Sequence, residues 1–218
     1  MEKNGYRILF MLSLFLTSCA TTKIESVKKP DAELTKYKKT LIYVDIQDIQ
    51  FRKLLEKDIE EQLAMQKKNI IKSIEIIPPL KEYSESDINK ICRDNSIDSI
   101  IKISVISLST NNGDSSSVFI PTGNFVWGLG SSDIKLTMAF DIIIYDVNND
   151  EIVIRGTAKS EDENDEIEDC MDNISKSLAK EIVEEFFITP SNKIWFYRKF
   201  KIILIMVIYF INKMIILF

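Results

Sequence analysis

Ile134-Lys135-Leu136-Thr137-Met138-Ala139-Phe140-Asp141-Ile142-Ile143-Ile144 is the stretch whose pattern decides the fold. Its residues Ile134, Leu136, Met138, Phe140, Ile142 and Ile144 all fall on even positions, with Lys135, Thr137 and Asp141 between them. Successive side chains of a strand point to opposite faces, so this period of two predicts a long strand with one face buried. Asn148-Asn149-Asp150 follows with turn chemistry, and Ile152 to Lys159 returns as an antiparallel partner. Beyond it, Ile167, Met171, Ile174, Leu178, Ile182 and Phe186 recur at helical spacing and form one apolar stripe.

Upstream, the signals alternate between strand and helix. Leu41 to Ile46 reads as a strand, and Phe51, Leu54, Leu55, Ile59 and Leu63 place an amphipathic helix over Gln50 to Lys67. Ile70 to Ile77 reads as a second strand, ended by Pro78-Pro79. Ser84-Glu85-Ser86-Asp87 has the spacing of a capped helix start, with Ile88, Ile91 and Cys92 on the inner face. Ser99 to Leu108 is a third strand, with Ile101, Ile103 and Val105 on one side. The expected fold class is α/β (α+β-like). It comprises a mixed sheet of about five strands in the order β-α-β-α-β-β-β-α, packed against three helices.

The 218 residues are 45% hydrophobic and 28% charged, a balance that supports a packed core. Histidine is absent. That removes the commonest general base and the commonest zinc ligand, and lowers the expectation of hydrolase or metalloenzyme chemistry. No catalytic residue, metal site or cofactor is expected. The net charge is −5; loss of Glu2, Lys3 and Arg7 with a signal peptide makes it −6. No acid follows Glu185, and without the five basic residues from Lys193 onward the body stands at −11. So acidic a body argues against nucleic acid as a partner.

At the amino terminus, Lys3 and Arg7 precede an apolar run from Ile8 to Leu16, then Leu16-Thr17-Ser18-Cys19-Ala20. A basic region, a short apolar region and small residues at a cut describe a secretory signal. The run is too short to cross a bilayer, which takes about 20 apolar residues. Leu16-Thr17-Ser18-Cys19 resembles the bacterial lipobox. The resemblance implies removal of residues 1–18 and lipidation of Cys19, which anchors the chain to a membrane. Ala20 is not the aspartate that resembles an inner-membrane retention signal, so the resemblance implies a periplasm-facing protein of the outer membrane. Residues 19–39 read as a polar tether, 40–190 as the domain and 191–218 as a basic, hydrophobic tail.

From about Thr40 to Phe187 the order of elements resembles the small α/β domain of several envelope proteins. They include the curli secretion channel subunit, the amino-terminal domain of the TolB periplasmic protein and the lipoprotein activators of penicillin-binding proteins. Arg52-x-x-Leu55-Glu56 at the helix start is similar to a group of uncharacterised lipoproteins. In that group a later strand follows Gly-x-Asp-Ala, where this chain has Ser96-Ile97-Asp98-Ser99. The resemblance implies fold and location rather than activity.

Four features invite a functional reading. Arg52 and Glu56 lie one turn apart and read as a surface ion pair. The acid-rich run Glu161 to Asp169 lacks the glycine and spacing of a calcium loop and reads as a solvated helix start. The long connection Thr110 to Asp133 holds Phe119, Ile120, Phe125, Trp127 and Leu129 among Ser, Gly and Asn. These side chains either fold back on the core or contact a partner or membrane. Cys92 and Cys170 are either a disulfide in an oxidising compartment or two buried thiols. In the tail, Ile202 to Ile211 is apolar but interrupted by Asn212-Lys213. It reads equally as an inner-membrane span, an interfacial anchor or an unselected extension. The expected function is a non-enzymatic, membrane-anchored envelope lipoprotein that binds or supports another envelope protein. The alternative is a subunit of a secretion or pore assembly, and an enzyme comes third.

Overall fold

The computed structural model describes residues 20–188, apart from 31, 65, 67, 80, 81, 113, 114 and 120–133. The expected signal peptide, Cys19 and the expected tail therefore lie outside the described residues, as do Ile120, Phe125, Trp127 and Leu129. The architecture is a mixed α/β sheet with helices on it, as the sequence pattern implies. The strands are β1 (Thr21–Lys28), β2 (Lys39–Asp45), β3 (Asn69–Lys72), β4 (Ser99–Asn112), β5 (Ser115–Phe119), β6 (Ile134–Asp146) and β7 (Glu151–Asn164). The helices are α1 (Ile49–Ala64), α2 (Ser73–Ile76), α3 (Glu85–Asp94) and α4 (Ile167–Phe186). The sheet order is β1-β7-β6-β4-β2-β3, with β5 paired to β4. The pairs β4–β2 and β2–β3 are parallel; the others are antiparallel.

The even residues of β6 are buried from Ile134 to Asp146, so the register read from the sequence holds. In β4 the inward stripe changes parity. Ile101 and Ile103 are buried, a register shift falls between Val105 and Ser107, and Leu108 then takes the inward position while Ile106 is exposed. A bulge of this kind adds one residue and turns the rest of the strand over. The stripe Met171, Ile174, Leu178, Ile182 and Phe186 of α4 is buried as expected. Ser84 and Asp87 form the expected capping box at α3. Asp150 adopts a left-handed φ of 57° in the turn after β6.

Residues 21–28, expected within a tether, form an edge strand instead. Its inward side is Thr22, Ile24 and Ser26, too polar to register as an apolar alternation. The hydroxyls carry that side: Thr22 bonds Ser160 at 2.8 Å and Ser177 at 2.9 Å, and Ser26 donates to Glu185 at 2.9 Å. A Cβ on Gly156 would come 3.1 Å from the Glu25 carbonyl oxygen, so a glycine there lets β1 lie close against β7. The expected strand Ile70 to Ile77 is also revised. It stops at Lys72, and the chain turns into α2, because Glu56 accepts a hydrogen bond from the Ser73 hydroxyl and another, at 3.0 Å, from the Ile74 amide. A carboxylate there satisfies the free amides of a helix start. Among the described residues the sheet thus has seven strands, against about five expected.

Two cores cover the two faces of the sheet. Ile42 and Val44 of β2 join β4, β6, β7, α1 and α4 in the larger one. Leu41 and Tyr43 point the other way, into a smaller core with Ile77, Ile88, Cys92 and Val147. Cys170 belongs to the larger core and Cys92 to the smaller, and both are free buried thiols. Burial pushes both up to about 11, so neither is a ready nucleophile.

Candidate functional site

Three polar or concave places in the fold invite chemistry. The first surrounds Arg52 and Glu56, expected as a surface pair and found inside. Arg52 is 5% exposed and Glu56 fully buried. Arg52 Nε donates to Glu56 Oε1 at 3.1 Å. Its Nη2 donates to the Ser73 hydroxyl at 2.6 Å and to the Ile77 carbonyl at 3.2 Å. The guanidinium also stands 5.5 Å from the centre of the Tyr43 ring. The sequence signal was available: residues 52, 56, 59 and 63 lie on one helical stripe, and Ile59 and Leu63 are core residues. The network ties α1 to α2.

The second place is a cleft of about 270 Å³ bounded by Lys36, Tyr37, Asp98, Asp146 and Asn149. It lies where β6 ends and β2, β4 and β7 begin. Asp146 is 1% exposed. One carboxylate oxygen accepts the Asn148 and Asn149 amides, each at 3.0 Å. The other accepts the Tyr37 hydroxyl at 2.8 Å, the Asn149 side-chain amide at 3.0 Å and Lys36 Nζ at 2.9 Å. Burial alone would raise its pKa, but the bonds from Lys36, the Asn149 amide and Tyr37 outweigh it and pull the group down to about 2. The Tyr37 hydroxyl is pushed up to about 12, first by burial and then by Asp146. A carboxylate this saturated holds loops together; it is not poised to move a proton.

The third place is the other end of the sheet. There β1 and β6 begin, β4 and β7 end, and α1 and α4 have their amino termini. Thr21 pairs with Glu161, and Ile134 with Asn164. Asp48 caps α1 by accepting the Phe51 amide at 2.8 Å. Between the two helix starts runs a groove of about 500 Å³ with Phe51, Leu54 and Met171 in its wall and Lys53, Lys57 and Glu168 at its rim. The acidic run is not one helix start as expected. Glu161 to Asn164 complete β7, and only Glu168 and Asp169 fall in the first turn of α4. Asp162 is buried and accepts the Asn173 side-chain amide at 2.9 Å, while Glu161 is paired with Lys159 at 2.6 Å and Lys135 at 3.4 Å. Period-two pairing to β6 wins over helix formation until Asn164, which explains the shift.

Of the five residues expected to contact a partner, only Phe119 falls among the described ones. It closes β5, opposite Leu108 of β4, so part of the expected connection is a strand. Among the described residues, no group of three or more His, Cys, Asp or Glu is arranged to hold a metal, and no helix is long and apolar enough to cross a membrane. Sequence reasoning missed the feature that matters most at this end. Ala20 is buried and β1 starts at the next residue, so a single residue separates Cys19 from the sheet.

No family model matches the chain, and no curated protein matches it. Solved structures with a similar chain path include the PelC dodecamer from Paraburkholderia phytofirmans. It is 9% identical, with 78% of this chain and 99% of that one covered at a TM-score of 0.48. Another is the lipoprotein GNA1162 from Neisseria meningitidis, 12% identical, covering 67% of this chain and 96% of that one at a TM-score of 0.41. A PDZ domain protein from Parabacteroides distasonis is similar over 84% of this chain and 39% of that one, at 12% identity and a TM-score of 0.38.

Proposed function

We propose that the chain is a bacterial envelope lipoprotein, cut before Cys19 and anchored by acyl chains on that residue. Its domain faces the periplasm from the outer membrane and binds or supports another envelope protein without catalysing a reaction. The observation that carries this reading is the run Lys3 to Cys19: two basic residues, nine apolar-rich positions and Leu16-Thr17-Ser18-Cys19, set directly before the first strand. The non-enzymatic part is supported by the buried carboxylates, each of which is bonded to a partner inside the fold. Glu56 serves Arg52 and α2, Asp58 accepts Ser175 at 2.6 Å, Asp146 binds two loops and Asp162 holds Asn173. The body's acidity favours protein or zwitterionic lipid over nucleic acid as the partner.

Metabolic labelling with an alkyne fatty acid tests the anchor. The wild-type chain should take up label and float with membranes, and Cys19→Ala should take up none. Labelling that persists in the variant rejects Cys19 as the acceptor.

A further inference from the structure

A lipid anchor fixes where a domain attaches, but the chain behind it decides how the domain stands. Here that chain is nearly absent. Thr21 is locked in register opposite Glu161, and Thr22 is bonded to both β7 and α4. Ala20 packs into the larger core at 8% exposure. Two residue steps from Thr21 to Cys19 span at most about 7 Å. From the pairing of Ile134 with Asn164 to that of Asp146 with Glu151, β6 runs for 13 residues and β7 for 14, which is roughly 40 Å of strand. A lipid on Cys19 is therefore tied within about 7 Å of Thr21, near the Asn164 end of a long sheet, with little slack to let the molecule turn over.

Resting on the lipoprotein reading, we propose that this end of the sheet is a membrane-apposed surface whose partner is the bilayer holding the acyl chains of Cys19, and that the Asp146 end points away from it. The surface consists of the start of β1, the end of β7 with Glu161 and Glu163, the start of β6 with Lys135, and the first turn of α4 with Glu168 and Asp169. Its charge defines the membrane it fits. Among the described residues at this end, the acids Glu161, Glu163, Asp165, Glu166, Glu168 and Asp169 outnumber the bases Lys53, Lys57, Lys135 and Lys159, so zwitterionic headgroups are tolerated and anionic ones repel it within a Debye length of about 8–10 Å. The groove between the starts of α1 and α4 opens at the same end, so a partner using that groove meets it at the membrane surface.

The test uses the full-length acylated protein in vesicles of phosphatidylethanolamine and phosphatidylcholine that carry a nitroxide on the headgroup. A fluorophore is placed at Glu163→Cys or at Asn149→Cys; Cys19 is blocked by its lipid, and Cys92 and Cys170 are buried. Quenching several-fold stronger at position 163 than at 149 is the expected result. Equal quenching means the domain lies on its side, and stronger quenching at 149 means it is inverted; either overturns the proposal. Ten Gly-Ser residues inserted between Cys19 and Ala20 should erase the difference. A difference that survives the insertion assigns the orientation to another contact and overturns the role of the short link. The mass of the amino-terminal peptide, read separately, shows whether Cys19 is acylated, so a failure of anchoring is distinguishable from a failure of orientation.

Discussion

The two ends of the sheet carry similar residues and use most of them in opposite ways. At the Asp146 end, acids face donors. Asp146 collects five hydrogen bonds or ion-pair contacts from two loops, and Asp98 accepts the Lys38 amide at 2.9 Å and the Lys39 amide at 3.1 Å. At the Thr21 end, Glu163, Asp165, Glu166, Glu168 and Asp169 are exposed to solvent. The difference teaches that the density of carboxylates says little about a site. What counts is how many donors the fold aims at each one, because a saturated buried acid stabilises and an exposed acid sets a surface charge.

A carboxylate that belongs to neither end sets the upper bound. Glu56→Ala leaves the Arg52 guanidinium buried without its counter-charge, and should cost about 3–5 kcal/mol in urea unfolding. A loss under about 1 kcal/mol would show that water reaches the pair. Asp146→Ala comes next. It strips the acceptor from the Asn148 and Asn149 amides and the Tyr37 hydroxyl, for a loss of about 2–3 kcal/mol. Because the Asp146 pKa is depressed to about 2, its stabilisation is fully present above the ordinary carboxylate range near 3.8. It is lost as pH falls through the folded value. Thermal unfolding of the wild type should thus fall more steeply between pH 4 and pH 2 than that of Asp146→Asn, and parallel curves would remove Asp146 from the account.

How much of this was legible in the sequence follows from side-chain type. β6 and α4 announce themselves because their buried positions are Ile, Leu, Met and Phe at a fixed period. β1 stays hidden because hydroxyls of Thr22 and Ser26 replace those residues at an edge held by hydrogen bonds. α2 stays hidden because its start is fixed by Glu56, which lies 17 residues before Ser73 in the chain. The Asp146 cleft depends on Lys36 and Tyr37 meeting a residue far along the chain, which no local pattern encodes. The proposed lipobox is legible because it is a contiguous motif; the missing slack behind it required β1.

The smallest effects belong to the Thr21 end and the tail. Glu163→Gln together with Glu166→Gln should change stability by no more than about 0.5 kcal/mol, since both are exposed. A larger loss would make the two ends alike. Removing residues 191–218 should leave the melting temperature of an unlipidated domain unchanged, because the apolar stripe of α4 closes at Phe186. A truncated chain that fails to fold would show that the tail completes the core.

The most direct test of the central claim is the mass of the amino-terminal peptide of the protein isolated from its own membranes. The expected peptide begins at Cys19 and carries a diacylglyceryl group on its sulfur. A peptide beginning at Met1, or at any residue other than Cys19, would contradict it.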